Sequence, residues 1–197
     1  MDNRGIAQVL SDIADLLEIK GDKAFKIRAY RTSADTIGAW PSPVAGLSES
    51  ALDELPGIGK DLAAKVHELG TTGQSAFLQE LIETYPATLL DILRLQGVGP
   101  KTVARLHAAL GVTTVDALAT AIREGRVAGL KGIGAKKAAQ MLKAIEDRAR
   151  HAGRRLLSDA SPTAAAIVAH LAAHCPEVTF DVVGSVRRGC RSEEHTS

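Results

Sequence analysis

The sequence predicts a mainly α-helical fold, and three features of its 197 residues support that prediction. Apolar residues recur at helical spacing as far as about residue 174. Aromatic residues make up only 3% of the chain, so small and aliphatic residues must supply most contacts between helices. A glycine-containing unit also occurs three times, at intervals that suit pairs of helices.

Capping residues and apolar stripes predict the first helices in order. The first helix should begin at Asp2 or Asn3 and bury Ile6, Val9, Leu10, Ile13, Leu16 and Leu17. The second should cover residues 23–37 and bury Ile27, Tyr30, Ala34 and Ile37. The proline-containing segment 40–43 should end it.

Later caps predict shorter helices, followed by one strand. Ser48 should cap a helix that reaches Leu55, and Ser75 and Pro86 should each start another. Thr114 should cap the next helix, and residues 161–162 should open one that continues to about residue 174. Residues 178–183, VTFDVV, are β-branched and apolar and therefore predict a strand.

Charged residues are segregated along the chain, although its net charge is only +1. Residues 20–31 include five basic residues and one acid, and residues 123–155 include ten basic residues and three acids. In residues 32–56 all the charged residues are acidic. A polyanion-binding surface needs such segregation, although solvated helix faces would also account for it.

The composition disfavours several classes of protein. The first 21 residues carry Asp2, Asp12 and Asp15 and lack the unbroken apolar core of a signal peptide. No apolar run reaches the length of a membrane span. Cys175 and Cys190 are too few for a disulfide framework and do not have metal-ligand spacing. We therefore expect a monomeric cytoplasmic protein without a membrane partner.

The repeated unit contains Leu, Gly, a β-branched residue and Gly, and small residues follow it. We call its copies the first, second and third corner; they are residues 55–59, 95–99 and 130–134. The first glycine tolerates the positive φ of a tight turn, and the β-branched side chain can fill the gap between two helices. The second glycine begins the next helix, whose first N–H groups lack partners and form an anion site.

This pattern resembles the helix-hairpin-helix motif, which binds DNA phosphates without reading bases. The resemblance implies DNA contacts at Gly57, Ile58, Gly59, Lys60, Gly97, Val98, Gly99, Lys101, Arg105, Gly132, Gly134, Lys136 and Lys137. It also implies a monovalent cation, Na⁺ or K⁺, on the backbone of Leu55, Ile58, Leu95 and Val98. The alternative is that a corner only packs helices or binds a protein, and it applies most to the third corner.

The order of the parts resembles bacterial family X DNA polymerases, the relatives of DNA polymerase beta. The matching segments are FKIRAYRTSADTI at residues 25–37, the first two corners, and VTFDVVGSVRRG at residues 178–189. The resemblance implies an 8-kDa-like lyase domain over residues 1–84 and a fingers segment over residues 85–155. It also implies the first helix and strand of an incomplete α+β nucleotidyltransferase palm over residues 156–190. The implied function is gap-filling DNA synthesis in base excision repair, on gapped or nicked duplex DNA.

In this resemblance Lys65 corresponds to the lysine that forms a Schiff base with a 5′-deoxyribose phosphate before β-elimination. A lysine amine is nucleophilic only when neutral, and nearby cations or desolvation favour that form. The expected neighbours are Lys26, Tyr30, Arg31 and Lys60, of which the first two should also contact DNA. Ala64 and Asp61 depart from the family, which has a glutamate and a lysine there. The alternative is a lysine that only contacts phosphate.

Residues 184–189, GSVRRG, resemble the start of the family's palm. Gly184, Ser185 and Arg188 would bind the triphosphate of an incoming deoxynucleoside triphosphate. The family holds two Mg²⁺ ions on aspartates that come later, and this sequence contains no counterpart of them. Residues 191–197, RSEEHTS, match nothing in the palm, and we interpret them as a non-native tail encoded by sequencing-adapter DNA. We therefore expect DNA binding without primer extension.

Three functions remain open from the sequence. They are the N-terminal part of a repair polymerase, a non-catalytic helix-hairpin-helix scaffold on DNA, and a helical platform for other proteins. The segment 184–189 favours the first function over the second. The basic residues around the corners favour either of these over the third.

Overall fold

The computed structural model describes residues 1–152, 165–171, 174 and 180. The described residues are mainly helical, which confirms the predicted fold class. The helices are α1 (Asn3–Lys20), α2 (Ala24–Ala39), α3 (Glu49–Asp53), α4 (Lys60–Thr72), α5 (Ala76–Thr84), α6 (Leu89–Leu93), α7 (Pro100–Leu110), α8 (Val115–Arg123) and α9 (Ala135–Ala152). The chain divides into two compact units, Met1–Ile145 and Glu146–Ser197.

Four of the predicted capping side chains begin their helices as expected. Each accepts a hydrogen bond from the backbone N–H three residues later, with donor–acceptor distances from 2.8 to 3.3 Å. The capping residues are Asp2, Ser48, Ser75 and Thr114. A side-chain acceptor here satisfies one of the N–H groups that a helix leaves unpaired at its start.

Three predicted helix boundaries differ by two or three residues, and the first is the end of α2, which lies at Ala39 and not at Ile37. Helix α3 ends at Asp53 and does not reach Leu55, because the Leu55 N–H bonds to the Leu52 carbonyl at 3.1 Å as the corner begins. Helix α6 begins at Leu89 and not at Pro86. The Pro86 carbonyl instead accepts the Leu89 N–H at 2.9 Å in a separate turn that precedes the helix.

Helix α1 lies at the centre of the first unit. It packs against α2, α4, α5, α6 and α7. Five of the six predicted stripe residues are fully buried, and Val9 is partly buried. The four predicted core residues of α2 are buried as well. Ala14 and Ile19 are buried in addition to the predicted stripe, so α1 has a wide apolar face that can contact several helices.

The connection between α2 and α3 is fastened to the start of α1 by one side chain. The Asn3 amide nitrogen donates to the carbonyls of Trp40 and Ser42, at 3.1 and 2.8 Å. Its amide oxygen accepts the Val44 N–H at 2.9 Å. Asn3 therefore fixes the chain segment that leads from α2 into the first corner.

The second unit is described only in part. Residues 165–171 and 174 are helical, within the helix predicted to end near residue 174. Phe180 has no regular secondary structure, and the other residues of the predicted strand lie outside the described residues, as do residues 184–189 and 191–197. Within the described part of the chain, no helix has the length and apolar character needed to span a membrane. The predicted domain boundaries stay predictions.

Candidate nucleic-acid interface

The three corners have the same backbone hydrogen bonds. In each, the N–H of the first leucine bonds three residues back, and the N–H of the β-branched residue bonds to that leucine at 2.9–3.1 Å. The carbonyl of the second glycine then accepts the first two bonds of the next helix. The first glycine has φ of 79°, 78° and 81° in Gly57, Gly97 and Gly132. This left-handed conformation is the reason for glycine at that position.

The β-branched residue of each corner lies in the gap between two helices, as predicted. Ile58, Val98 and Ile133 are only 4%, 7% and 2% exposed. Burying such a side chain stabilises the corner by about 1.5–3 kcal/mol relative to leaving it exposed. The sequence repeat therefore corresponds to a structural repeat.

The second glycine of the first two corners leaves the next helix without a side-chain cap. Gly59 precedes α4 and Gly99 precedes α7, both in extended conformation and neither with a side-chain capping hydrogen bond. The N–H groups at the positive end of each helix dipole are therefore available to an anion. The second corner offers one donor fewer, because Pro100 at the start of α7 has no N–H.

The corners face solvent. Most of the predicted DNA-contact residues are exposed: Gly57, Gly59, Lys60, Gly97, Lys101, Arg105, Gly132, Gly134 and Lys136. Lys26, Gly99 and Lys137 are partly buried, and Tyr30, Ile58 and Val98 are buried. The assignment of these residues to DNA stays a prediction. Their exposure satisfies the first requirement for binding a large polyanion.

Two hydroxyl groups of α2 support the first corner from behind. The Ser33 hydroxyl donates to the Gly57 carbonyl at 3.2 Å, and the Thr36 hydroxyl donates to the Pro56 carbonyl at 2.9 Å. Ser33 is fully buried. Sequence reasoning missed both residues, because they lie 20 to 24 positions away from the carbonyls that they bind. They fix the turn whose amides face solvent.

A cation of α7 supports the third corner. The Arg105 guanidinium donates to the Lys131 carbonyl at 2.9 Å and lies against Gly132. In the same region, the Lys137 ammonium donates to the Thr102 hydroxyl at 3.0 Å. Arg105 and Lys137 were both predicted to contact DNA, and the structure places each in a contact inside the protein. Among the described residues, no side chain supports the equivalent carbonyl in the second corner.

Lys65 and two of the residues expected near it, Lys26 and Tyr30, contact the ring of Phe77. The Lys65 and Lys26 ammonium groups lie 5.6 and 4.8 Å from the centroid of the Phe77 ring, and Tyr30 stacks on that ring at 5.9 Å. We call Lys26, Tyr30, Lys65 and Phe77 the aromatic–lysine cluster. Cations within about 6 Å of a ring centroid are attracted by its electron-rich face. Sequence reasoning missed Phe77, because a single aromatic residue after the Ser75 cap carries no pattern.

The tyrosine of this cluster has an unusual environment. Tyr30 is 2% exposed, and its hydroxyl has no hydrogen-bond partner in the described part of the chain. Burial, and to a smaller extent the charge of Asp61, raise the pKa of Tyr30 well above its usual value. The hydroxyl is therefore a neutral donor. A buried hydroxyl without a partner is costly, so a ligand that accepts this hydrogen bond would be favoured.

The charged neighbours of Lys65 differ partly from the predicted set. Its ammonium group forms an ion pair with the exposed Asp61 carboxylate at 2.5 Å, and its side chain is 20% exposed. Arg31 instead pairs with Asp15 and Glu18 of α1. Arg31 was expected as a neighbour of Lys65, and the structure shows its guanidinium engaged by these two carboxylates.

The predicted monovalent-cation sites consist of backbone oxygens. The carbonyls of Leu55 and Leu95 each accept one N–H within their corner, from Ile58 and Val98 at 3.1 Å. A carbonyl oxygen has a second lone pair, and such oxygens can replace the hydration shell of a monovalent cation. The donor type therefore fits Na⁺ or K⁺. In the described residues, no group of three or more His, Cys, Asp or Glu side chains could hold a metal ion.

Comparisons with known proteins agree with this arrangement. Residues 1–75 match the family model described as a helix-hairpin-helix domain, and residues 89–147 match a SAM-like helix-hairpin-helix tandem. The chain is 30% identical over 188 residues to the DNA polymerase/3′-5′ exonuclease PolX of Bacillus subtilis (strain 168). That alignment covers 95% of this chain and 33% of the relative, so the chain spans about a third of the relative's length.

The first match contains the first corner, and the second match contains the other two. The similarity to PolX extends along nearly all of the chain. In their order and extent, these matches are those of the N-terminal portion of a family X DNA polymerase.

Proposed function

We propose that this chain binds the phosphate backbone of gapped or nicked duplex DNA as part of a repair polymerase. The observation that carries the proposal is the threefold corner, with exposed glycines and helix amides that no side chain caps at the first two copies. Lysines stand just inside the following helices, where they can neutralise phosphates. The named activity of the PolX relative supports DNA as the polyanion.

A salt titration tests this proposal. The logarithm of the association constant of the full chain for a gapped duplex should fall linearly with the logarithm of the salt concentration. The slope should be about −0.9 for each phosphate neutralised. The variants Lys60→Ala and Lys101→Ala should each weaken binding and reduce the slope by about 0.9. Lys143→Ala removes the same charge from an exposed position further along α9, and it should leave the slope nearly unchanged. A slope near zero for the unmodified chain would refute phosphate binding.

A second candidate function is 5′-deoxyribose-phosphate lyase activity at Lys65. The aromatic–lysine cluster favours it, because Lys65 shares the Phe77 ring with a second ammonium group and with a buried tyrosine. Tyr30 and Lys26 would bind the 5′-phosphate, and the Lys65 amine would attack the sugar aldehyde. The ion pair with Asp61 opposes this reaction, because it engages the amine that would have to attack.

Borohydride trapping on an incised abasic duplex tests the lyase. Lys65→Ala should abolish the trapped adduct, and Lys60→Ala, a neighbouring exposed lysine, should retain it. Asp61→Asn should increase the trapping rate, because the ion pair that holds the Lys65 amine is then lost. Equal trapping by the unmodified chain and Lys65→Ala would exclude Lys65 as the nucleophile.

The activities of a whole polymerase are proposed only for the parent protein. There, Gly184, Ser185 and Arg188 would bind the deoxynucleoside triphosphate, and Mg²⁺ would supply the charge stabilisation that phosphoryl transfer needs. A monovalent cation at the first two corners, a monomeric state, a cytoplasmic location and base excision repair belong to the same proposal.

A further inference from the structure

We propose that Arg105 is a positioning residue that fixes the third corner against α7, and that it does not contact a DNA phosphate. The first part rests on the geometry of the protein alone. The second part rests on the proposed DNA binding, and the experiment below separates the two.

The guanidinium of Arg105 lies directly on the third corner. It donates to the carbonyl of Lys131 at 2.9 Å, although the two residues are 26 positions apart. A β-carbon added to Gly132 would collide with the same guanidinium group. Glycine at this position adopts the positive φ of the turn and leaves room for Arg105 in its present conformation.

The first corner shows that this contact has a structural counterpart. Pro56 and Lys131 occupy the same position in the repeat, immediately before the glycine with positive φ. The carbonyl of Pro56 accepts a hydrogen bond from Thr36 of α2, and the carbonyl of Lys131 accepts one from Arg105 of α7. Two unrelated side chains thus satisfy the same backbone oxygen. This recurrence indicates that a hydrogen bond to this carbonyl oxygen holds the corner against the neighbouring helix.

A second hydrogen bond ties the same two elements together. The Lys137 ammonium, in the first turn of α9, donates to the buried Thr102 hydroxyl of α7 at 3.0 Å. One bond therefore runs from α7 to the third corner and another runs from α9 back to α7. With both cations engaged in this way, the second and third corners are held in a fixed relative position. Phosphate contacts near them fall to exposed lysines such as Lys101 and Lys136.

Hydrogen exchange and salt titration together test the proposal on the full chain. In Arg105→Ala, the Ile133 N–H, which bonds to Leu130 at 2.9 Å, should exchange at least about tenfold faster, as expected when a charged hydrogen bond is lost. The equivalent N–H groups of Ile58 and Val98 should keep their rates. Arg105→Met, which retains the aliphatic stem but has no donor, should behave in the same way.

The salt dependence of binding to a gapped duplex distinguishes positioning from phosphate contact. Arg105→Ala should weaken binding while leaving the slope against log salt unchanged, whereas Lys101→Ala on the same helix should reduce the slope by about 0.9. Unchanged exchange at Ile133, or a slope reduction equal to that of Lys101→Ala, would overturn the proposal. If the unmodified chain did not bind DNA, the proposed function would fail, and the exchange of Ile133 would still decide the role of Arg105.

Discussion

The first and third corners share one backbone conformation, but different chemistry supports them. Behind the first corner, two hydroxyl groups of α2 bind successive carbonyls, and one of them is fully buried. Behind the third corner, a long exposed cation reaches across from α7 to a single carbonyl. The neutral hydroxyls of α2 and the charged guanidinium of Arg105 thus both donate hydrogen bonds to the carbonyls of a corner.

This difference shows which part of the motif the sequence repeats. The glycines and the β-branched residue recur because the turn itself requires them. The supporting donors do not recur, because each depends on the helix that happens to pack behind the corner. The comparison leads to four predictions, which concern the shared side chain first and the supports afterwards.

The largest effect is expected when the buried residue of a corner is shortened. Ile58→Ala and Ile133→Ala should each lower the free energy of unfolding by about 2–5 kcal/mol, because each leaves a cavity between two helices. Chemical denaturation of the full chain measures this. Ile167→Ala, at an isoleucine that is 56% exposed, should change stability by less than about 0.5 kcal/mol. A negligible loss for Ile133→Ala alone would mean that the third corner is not a structural equivalent of the first.

A smaller loss is expected when alanine replaces the glycine with positive φ. Gly57→Ala should cost about 2–4 kcal/mol, because its new β-carbon would lie 2.6 Å from the Thr32 methyl group in addition to the strained φ. Gly97→Ala, with open space around it, should cost only the strain of about 1–2 kcal/mol. Thermal unfolding of both variants measures the difference. Equal losses would show that the Thr32 side chain moves aside at little cost.

Removing the Ser33 hydroxyl behind the first corner should lower the free energy of unfolding less than a substitution in the turn itself. Ser33→Ala removes one hydrogen bond to the Gly57 carbonyl and should lower the free energy of unfolding by about 1 kcal/mol. Ser50→Ala, at an exposed serine of α3, is the matched control and should be nearly neutral. Hydrogen exchange of the Ile58 N–H should also become faster in Ser33→Ala, while that of Ile133 stays unchanged. A faster rate at both corners would contradict independent supports.

The smallest effect is expected when Asp22 is replaced. This residue lies just before α2, the helix that carries Ser33 and Thr36. A hydrogen bond from the Lys23 N–H, together with the charge of Lys26, lowers the pKa of Asp22 below its usual value. The unfolded chain therefore binds this proton more readily, so Asp22 stabilises the fold at neutral pH and loses that contribution as pH falls below about 4. The stability difference between the unmodified chain and Asp22→Asn should shrink over that range. A difference that is independent of pH would contradict the assigned cause.

The local parts of the fold were predictable from the sequence. Four capping residues, the stripe of α1 and the buried residues of the three corners depend on spacing within one or two turns of helix, and all were predicted. The end of α3 and the start of α6 were less accurate, because a turn at a helix end competes with the helix for the same carbonyl.

The contacts that complete the candidate site could not be predicted in this way. Ser33, Thr36 and Arg105 reach carbonyls 20 to 26 positions away, and only the packing of helices brings them there. Phe77 joins Lys26 and Lys65 for the same reason. A single sequence shows which residues could bind phosphate, but tertiary structure decides which of them the protein already uses for itself.

The central position of α1 has a consequence for how the first unit denatures. Both α4, which follows the first corner, and α7, which follows the second, pack on this one helix, and Arg94 beside the second corner forms an ion pair with Asp12 of α1. Loss of α1 would strip the apolar cover from both at once. Residues 1–145 should therefore melt in a single cooperative transition, and a fragment that stops at residue 84 should aggregate through the uncovered side of α1.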